Sequence, residues 1–189
     1  MAGHSKWAQI KRAKGANDVA RGKLFTKLGK EIMVAVKTGG GSDPAGNPRL
    51  YNAIAKARTA NMPNDNIQRV IKKASGEGAN TDYVSIVYEG YGIGGIAAMV
   101  EALTDNKNRT ASEVRAAFEK NGGSLGVSGS VSFMFERDLM ENENSEIIEI
   151  WAPTYKVPVP AENEKLFLKM LDALDESDDV QEVWHNAEG

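Results

Sequence analysis

Six cations crowd the first 23 residues: Lys6, Lys11, Arg12, Lys14, Arg21 and Lys23, along an otherwise small-residue stretch that also carries Trp7. Positive side chains at this density displace condensed counterions from a phosphate backbone and give affinity without sequence preference. An indole among them can stack on an exposed base or wedge into a groove. Trp7 can equally serve as a hydrophobic anchor on neighbouring helices, and both readings stay open. Lys27 and Lys30 continue the positive track. Lys6, Trp7, Lys11, Arg12, Lys14, Arg21, Lys23, Lys27 and Lys30 are therefore the candidate nucleic-acid contacts. No helix-turn-helix, zinc finger or RNP-type aromatic motif is recognisable, so groove and sequence preference stay open.

Other chemistries find less support. Gly90, Gly92 and Gly95 satisfy G-x-G-x-x-G, but that fingerprint holds a pyrophosphate only when a helix follows. A strand pattern follows here, so the glycines are expected to serve a tight turn with positive φ, and no cofactor is expected. His4 and His185 lie near opposite ends without a ligand partner one turn away, which argues against a metal site. Asp175, Glu176, Asp178 and Asp179 are most simply a solvated loop, with contact to a basic partner or weak cation binding as the alternative. The absence of cysteine excludes a disulfide framework, a thiol nucleophile and a thiolate metal site. No nucleophile–base pattern stands out, so neither an enzyme nor a small-molecule substrate is expected.

The net charge of −3 over 189 residues conceals a division. Residues 1–75 hold 15 basic and 4 acidic side chains (+11), whereas residues 76–189 hold 8 and 22 (−14). A basic third attached to an acidic body points to a polyanion partner on one face; the alternative is that the opposite charges only attract each other within the fold. The longest apolar run, residues 96–100, is too short to span a bilayer, so no membrane is expected. The opening residues lack the apolar core of a secretory signal. They are basic and acid-poor, as a mitochondrial transit peptide also is, but they read as part of the working protein. Cytoplasm and a monomer are expected.

Hydrophobic periodicity supplies the elements that position these residues. Residues 1–22 show no apolar period and are expected to form a flexible basic arm. Phe25, Leu28, Ile32 and Val36 make one stripe of a helix, with Lys23, Lys27, Lys30 and Lys37 on its opposite face. Asn47 caps a second helix with Pro48 in its first turn, and Ile67, Val70, Ile71 and Ala74 mark a third. From residue 81 the period changes to that of strands. Val84, Ile86 and Tyr88 alternate with polar residues, a glycine-rich turn follows, and residues 96–103 make a second strand. Thr110 to Glu113 read as a capping box starting a helix, with Ala111, Val114 and Phe118 inward. Val131, Phe133 and Phe135 mark a third strand. Residues 138–145 read as a linker or tip, residues 147–159 as extended, with a last helix through Leu166 to Leu174 and a strand at 180–184. The expected class is α+β: a basic flexible arm at 1–22, a three-helix bundle at 23–76, and a mixed β-β-α-β…α-β domain at 81–137 plus 161–189, interrupted by 138–160.

The opening MAGHSKWAQIKRAKGANDVARGKLFTKLGKEI resembles the N-terminal signature of the YebC family. So do DPAGNPRL, NMPNDNIQRVIKKASG, YEGYGIGG, LTDNKNRTASEVRAAFEKNGGSLG, SGSVSFMFER and the closing DDVQEVWHNAE, in the same order. The resemblance implies an N-terminal helical domain, then α+β domains of which the second is interrupted by the third. It also implies control of gene expression. Bacterial members are described chiefly as DNA-binding transcriptional regulators. The mitochondrial relative is a translational activator for a cytochrome c oxidase subunit, and ribosome-associated roles belong to the same picture. The leading expectation is a DNA-binding transcriptional regulator acting on duplex DNA. The alternative is a ribosome-associated, RNA-binding translation factor with ribosomal RNA as its partner. Between Arg137 and about Ile147 most of the inserted third domain is missing, so residues 138–160 read as its truncated remnant.

Overall fold

In the computed structural model, residues 18–76, 82–141 and 147–188 are described. The chain divides into two compact units, one of residues 17–84 and one built mainly of residues 85–189.

The first unit is helical. Helices α1 (Asp18–Thr38), α2 (Pro48–Thr59) and α3 (Asn64–Ser75) bury one core made of Leu28, Ile32, Ala35, Val36, Leu50, Ile54, Ala57, Ile67 and Ile71. The apolar stripe of α1 is thus where its period places it. Helix α1 starts at Asp18, so residues 18–22, expected to belong to the flexible arm, are helical. Asn47 caps α2 by accepting from the Leu50 amide at 3.0 Å. Its side-chain amide also donates to the Ala35 carbonyl (2.8 Å) and the Gly41 carbonyl (2.7 Å), so one buried side chain closes the glycine loop between α1 and α2.

The second unit holds a four-stranded sheet in the order β3-β1-β2-β6, with β1 (Val84–Tyr91), β2 (Ala97–Thr104), β3 (Ser124–Leu125) and β6 (Val180–His185). Strand β1 pairs antiparallel with β3, and β2 pairs antiparallel with β6. Helices α4 (Lys107–Glu119) and α5 (Ala161–Glu176) cover one face. There Ile96, Ala98 and Val100 meet Val114, Phe118, Phe167, Met170 and Leu174. A separate two-stranded antiparallel sheet, β4 (Phe135–Glu141) with β5 (Ile147–Pro153), covers the other face, where Ala97, Met99 and Trp184 meet Met134, Phe135 and Ile150. Strand β2 is therefore buried on both sides, which accounts for its nearly unbroken apolar run.

Three expectations are corrected. Helix α4 begins one turn before the supposed capping box: Asn106 is its N-cap, accepting from the Arg109 amide at 3.1 Å, and Thr110 is a buried interior residue. The stretch Val131–Phe135 is not a strand throughout. Ser132–Met134 forms a 3-10 turn, Phe133 is 72% exposed, and β4 starts only at Phe135. Residues 138–141, read as linker, complete β4. The interval read as a remnant, expected as an edge strand or hairpin, contributes strand β5, in register with β4 from Phe135 opposite Pro153 to Glu141 opposite Ile147.

Candidate nucleic-acid interface

Of the nine predicted contact residues, Lys6, Trp7, Lys11, Arg12 and Lys14 lie outside the described residues. The other four lie on α1, and the structure separates them. Arg21 is exposed and Lys23 is half-buried. Lys27 and Lys30 are 8% and 7% exposed. This corrects the expectation that α1 turns an open lysine face to a partner. The segment leaving the helical unit runs beside that face: the Lys30 ammonium sits 5.5 Å from the Tyr83 ring centroid and Lys37 pairs with Asp82 at 3.2 Å. Val34, on the same side, is buried too, so α1 is the central helix of its unit.

Among the described residues, exposed cations without a partner lie instead on the outer helices. On α3, Ile67, Ile71 and Ala74 are buried, and Arg69, Lys72 and Lys73 occupy the opposite, exposed side at i, i+3 and i+4. None of these three cations has a hydrogen-bond or ion-pair partner among the described residues, and the same is true of exposed Arg58 on α2. Lys56 and Arg49, by contrast, are engaged by Glu31 at 2.9 Å and by the Thr38 hydroxyl at 2.8 Å. Residues 18–76 carry 11 basic and 4 acidic side chains, a net +7 without the first seventeen residues. Tyr51 on α2 is 63% exposed beside this charge. The α3 cations were missed in the sequence, although their signal was present: a basic triplet at helical spacing, out of phase with an apolar stripe.

The second unit is acidic, with 8 basic and 20 acidic residues between 85 and 188, and its polar clusters tie the fold together. Asp179, expected in a solvated loop, is 2% exposed. Its Oδ2 lies 2.6 Å from Arg109 Nη2, 3.2 Å from Arg109 Nε, 2.7 Å from the Thr110 hydroxyl and 3.1 Å from the Thr104 hydroxyl. The same bonds to Asp179, with a further one to Asp105, hold the Arg109 guanidinium still more firmly in its charged form. Burial pushes the Glu89 carboxyl up, but the backbone amides of Gly129, Val131 and Ser132, each 2.8 Å from it, more than offset this and hold it below the usual carboxylate range. Burial lowers the His185 imidazole to about 4, with the ring edge-on to Phe167 at 5.2 Å between centroids.

The glycine motif serves geometry. Of Gly90, Gly92 and Gly95, expected at positive φ, only Gly95 takes it (78°), beside Gly94 (74°) in a 3-10 turn between β1 and β2, whereas Gly92 has φ of −75°. A Cβ on Gly90 would stand 2.8 Å from the Ser124 carbonyl oxygen and 2.9 Å from the Phe118 ring, so that position needs a side chain of nothing more than hydrogen. A strand follows the turn, as the sequence pattern implied. No group of histidine and carboxylate side chains fit to hold a metal occurs among the described residues. None of their helices is long and apolar enough to cross a membrane.

Fold and surface together define a two-part protein, with a cationic three-helix unit joined to an anionic α+β unit. Residues 5–77 match the TACO1/YebC protein N-terminal domain, and residues 83–146 and 137–187 match the TACO1/YebC second and third domain. The chain belongs to the TACO1/YebC family. It is 45% identical to a protein of Geobacillus sp. (strain WCH70) over 239 aligned positions, covering 98% of this chain and 97% of the relative. It is 43% identical to one of Clostridium beijerinckii, covering all of this chain and 97% of that relative. Both relatives carry the name "Probable transcriptional regulatory protein". A crystal structure of a conserved hypothetical protein from Aquifex aeolicus superposes with a TM-score of 0.83 at 39% identity, covering 97% of each chain. Since the alignments run over 239 positions and this chain has 189 residues, at least fifty positions (239 less 189) have no counterpart here. The two matched segments of the second and third domain meet around residues 137–146, on β4 and just beyond it.

Proposed function

We propose that this protein is a nucleic-acid-binding regulator of gene expression, acting as a transcriptional regulator on DNA through its cationic N-terminal third. The observation that carries the reading is the unpaired Arg58, Arg69, Lys72 and Lys73 on a unit of net charge +7, continuous in sequence with a further four cations at Lys6, Lys11, Arg12 and Lys14. Such a surface takes a phosphate backbone through counterion release and carries no base preference of its own. The acidic second unit repels the same backbone, which favours a one-sided footprint over wrapping. The names of the relatives support regulation of transcription as the process.

The test is a salt titration of binding to labelled duplex DNA, with intact ribosomes and unlabelled duplex as separate competitors. The expected result is an affinity falling steeply with salt, and a log–log slope reduced by close to one unit for each of Arg69, Lys72 and Lys73 replaced by alanine. Displacement by ribosomes at far lower phosphate concentration than by duplex would transfer the function to translation.

A further inference from the structure

Tyr51 is the one large aromatic side chain exposed by more than half on the described part of the helical unit, and no described residue holds its ring or hydroxyl. Exposing a tyrosine ring to water forgoes the burial free energy that such a side chain ordinarily contributes. Arg58 lies seven residues further along α2 and is also exposed and unpaired. Two residues seven apart on a helix differ by only about 20° in direction, so the two side chains leave α2 along one line, roughly 10 Å apart at their bases. Helical side chains lean toward the N-terminus, which brings the Arg58 guanidinium back toward the Tyr51 ring. Of the two residues one turn from Tyr51 that flank this line, Ile54 is buried and Ala55 carries only a methyl.

We propose that Tyr51 is a stacking platform for one unpaired DNA base, with Arg58 taking a phosphate of the same strand. The inference rests on the nucleic-acid reading above and narrows it, because a base in an intact duplex is stacked on both faces and cannot offer one to Tyr51. The strand that fits is therefore single-stranded, as where a duplex is opened. Charge decides the class of partner. An exposed aromatic ring on a neutral surface would suit a protein, but this ring sits on a unit of net charge +7 whose nearest exposed cation on the same line has no carboxylate partner. Aromatic–base stacking with a flanking arginine is a general means of holding single strands without sequence preference.

The experiment measures full-chain affinity by fluorescence anisotropy for four probes of equal length: a single-stranded DNA, its abasic counterpart, the duplex, and an RNA of the same sequence. Tyr51→Ala is expected to weaken binding to the single strand by about 5- to 150-fold, the range that loss of one stacked base produces. The same variant leaves the abasic strand and the duplex within twofold, and Tyr51→Phe restores the single-strand affinity because it keeps the ring. Replacing Lys72 and Lys73 with alanine weakens all four probes alike. An equal effect of Tyr51→Ala on the abasic and normal strands, or no effect on either, overturns the platform while the phosphate-binding reading stands. Failure of the unmodified protein to bind any probe at physiological salt removes that reading instead. A preference of more than tenfold for RNA over DNA overturns the assignment to DNA.

Discussion

Replacing Asp179 with alanine removes the acceptor at the centre of a cluster that joins the end of β2, the start of α4 and the turn between α5 and β6. Two buried hydroxyls, Thr104 and Thr110, both 0% exposed, lose their shared partner. Leaving a buried donor unsatisfied costs about 1–3 kcal/mol, and the cost falls mainly on Thr104, because the Thr110 hydroxyl still has the Asn106 carbonyl as an acceptor at 3.1 Å. The Arg109 guanidinium adds less than a buried ion pair would, because its side chain is 45% exposed and water replaces part of what it loses. Allowing for water entering the space vacated by the carboxylate, the total is about 3 kcal/mol. That is a fall in Tm on the order of 10 °C for a unit of this size. Urea unfolding followed by tryptophan fluorescence reads the change, since Trp151 and Trp184 both lie in the α+β unit. Arg109→Gln alone should cost about 1 kcal/mol, and the double variant less than the sum of the two, because they share a contact. A change below about 0.5 kcal/mol for Asp179→Ala, the range of ordinary surface substitutions, would refute the view that this carboxylate fastens the unit.

Four further outcomes are expected. With its imidazole lowered from 6.5 to about 4, His185 stays neutral in the folded chain while the unfolded chain takes up a proton, so its contribution is complete above pH 6.5 and lost as pH falls toward 4. The loss approaches about 3 kcal/mol, and urea denaturation across this window should show a flatter profile for His185→Phe than for the unmodified protein. Glu89→Ala should speed amide exchange at Gly129, Val131 and Ser132 by more than tenfold; unchanged rates there would mean that the loop holds itself. Because the Glu89 carboxyl sits below its ordinary range, the stability it supplies is present above that range and is lost as the pH falls beneath it through the lowered folded-state value. Ile32→Ala, at a fully buried site, should destabilise the helical unit by about 2–5 kcal/mol in thermal unfolding, whereas Arg69→Ala should stay within about 0.5 kcal/mol.

Much of this was legible in the sequence where a single element carried the signal. The stripe of Leu28, Ile32 and Val36, the Asn47 cap and the alternation leading into β1 each depend on neighbours within one or two turns. What could not be read depends on partners far along the chain. Lys27 and Lys30 stand opposite the apolar stripe of α1, as their period requires. Both are buried, and at Lys30 the chain passes that face again near Tyr83, fifty-odd residues later. Asp179 sits in an acidic run and looks solvated until Thr104, Arg109 and Thr110 are brought to it from some seventy residues upstream. The turn at Ser132–Met134 interrupts a convincing strand pattern because Glu89 collects the amides of Gly129 and Val131, which lead into it, and of Ser132, which starts it. The basic triplet of α3 was local and could have been found.

The register of β4 against β5 bears on how such a chain can gain or lose a module. Glu141 and Ile147 are directly opposed partners, so the end of β4 and the start of β5 lie side by side. Opposed residues of an antiparallel pair stand only about 5 Å apart, a gap that a few residues can close as readily as a whole domain. A segment gained or lost at this point would therefore leave two ends that can be joined without moving Phe135 or Ile150 from the core beneath. The hairpin is a socket, and a foreign segment joined between Glu141 and Ile147 should be carried by the protein with its own fold unchanged.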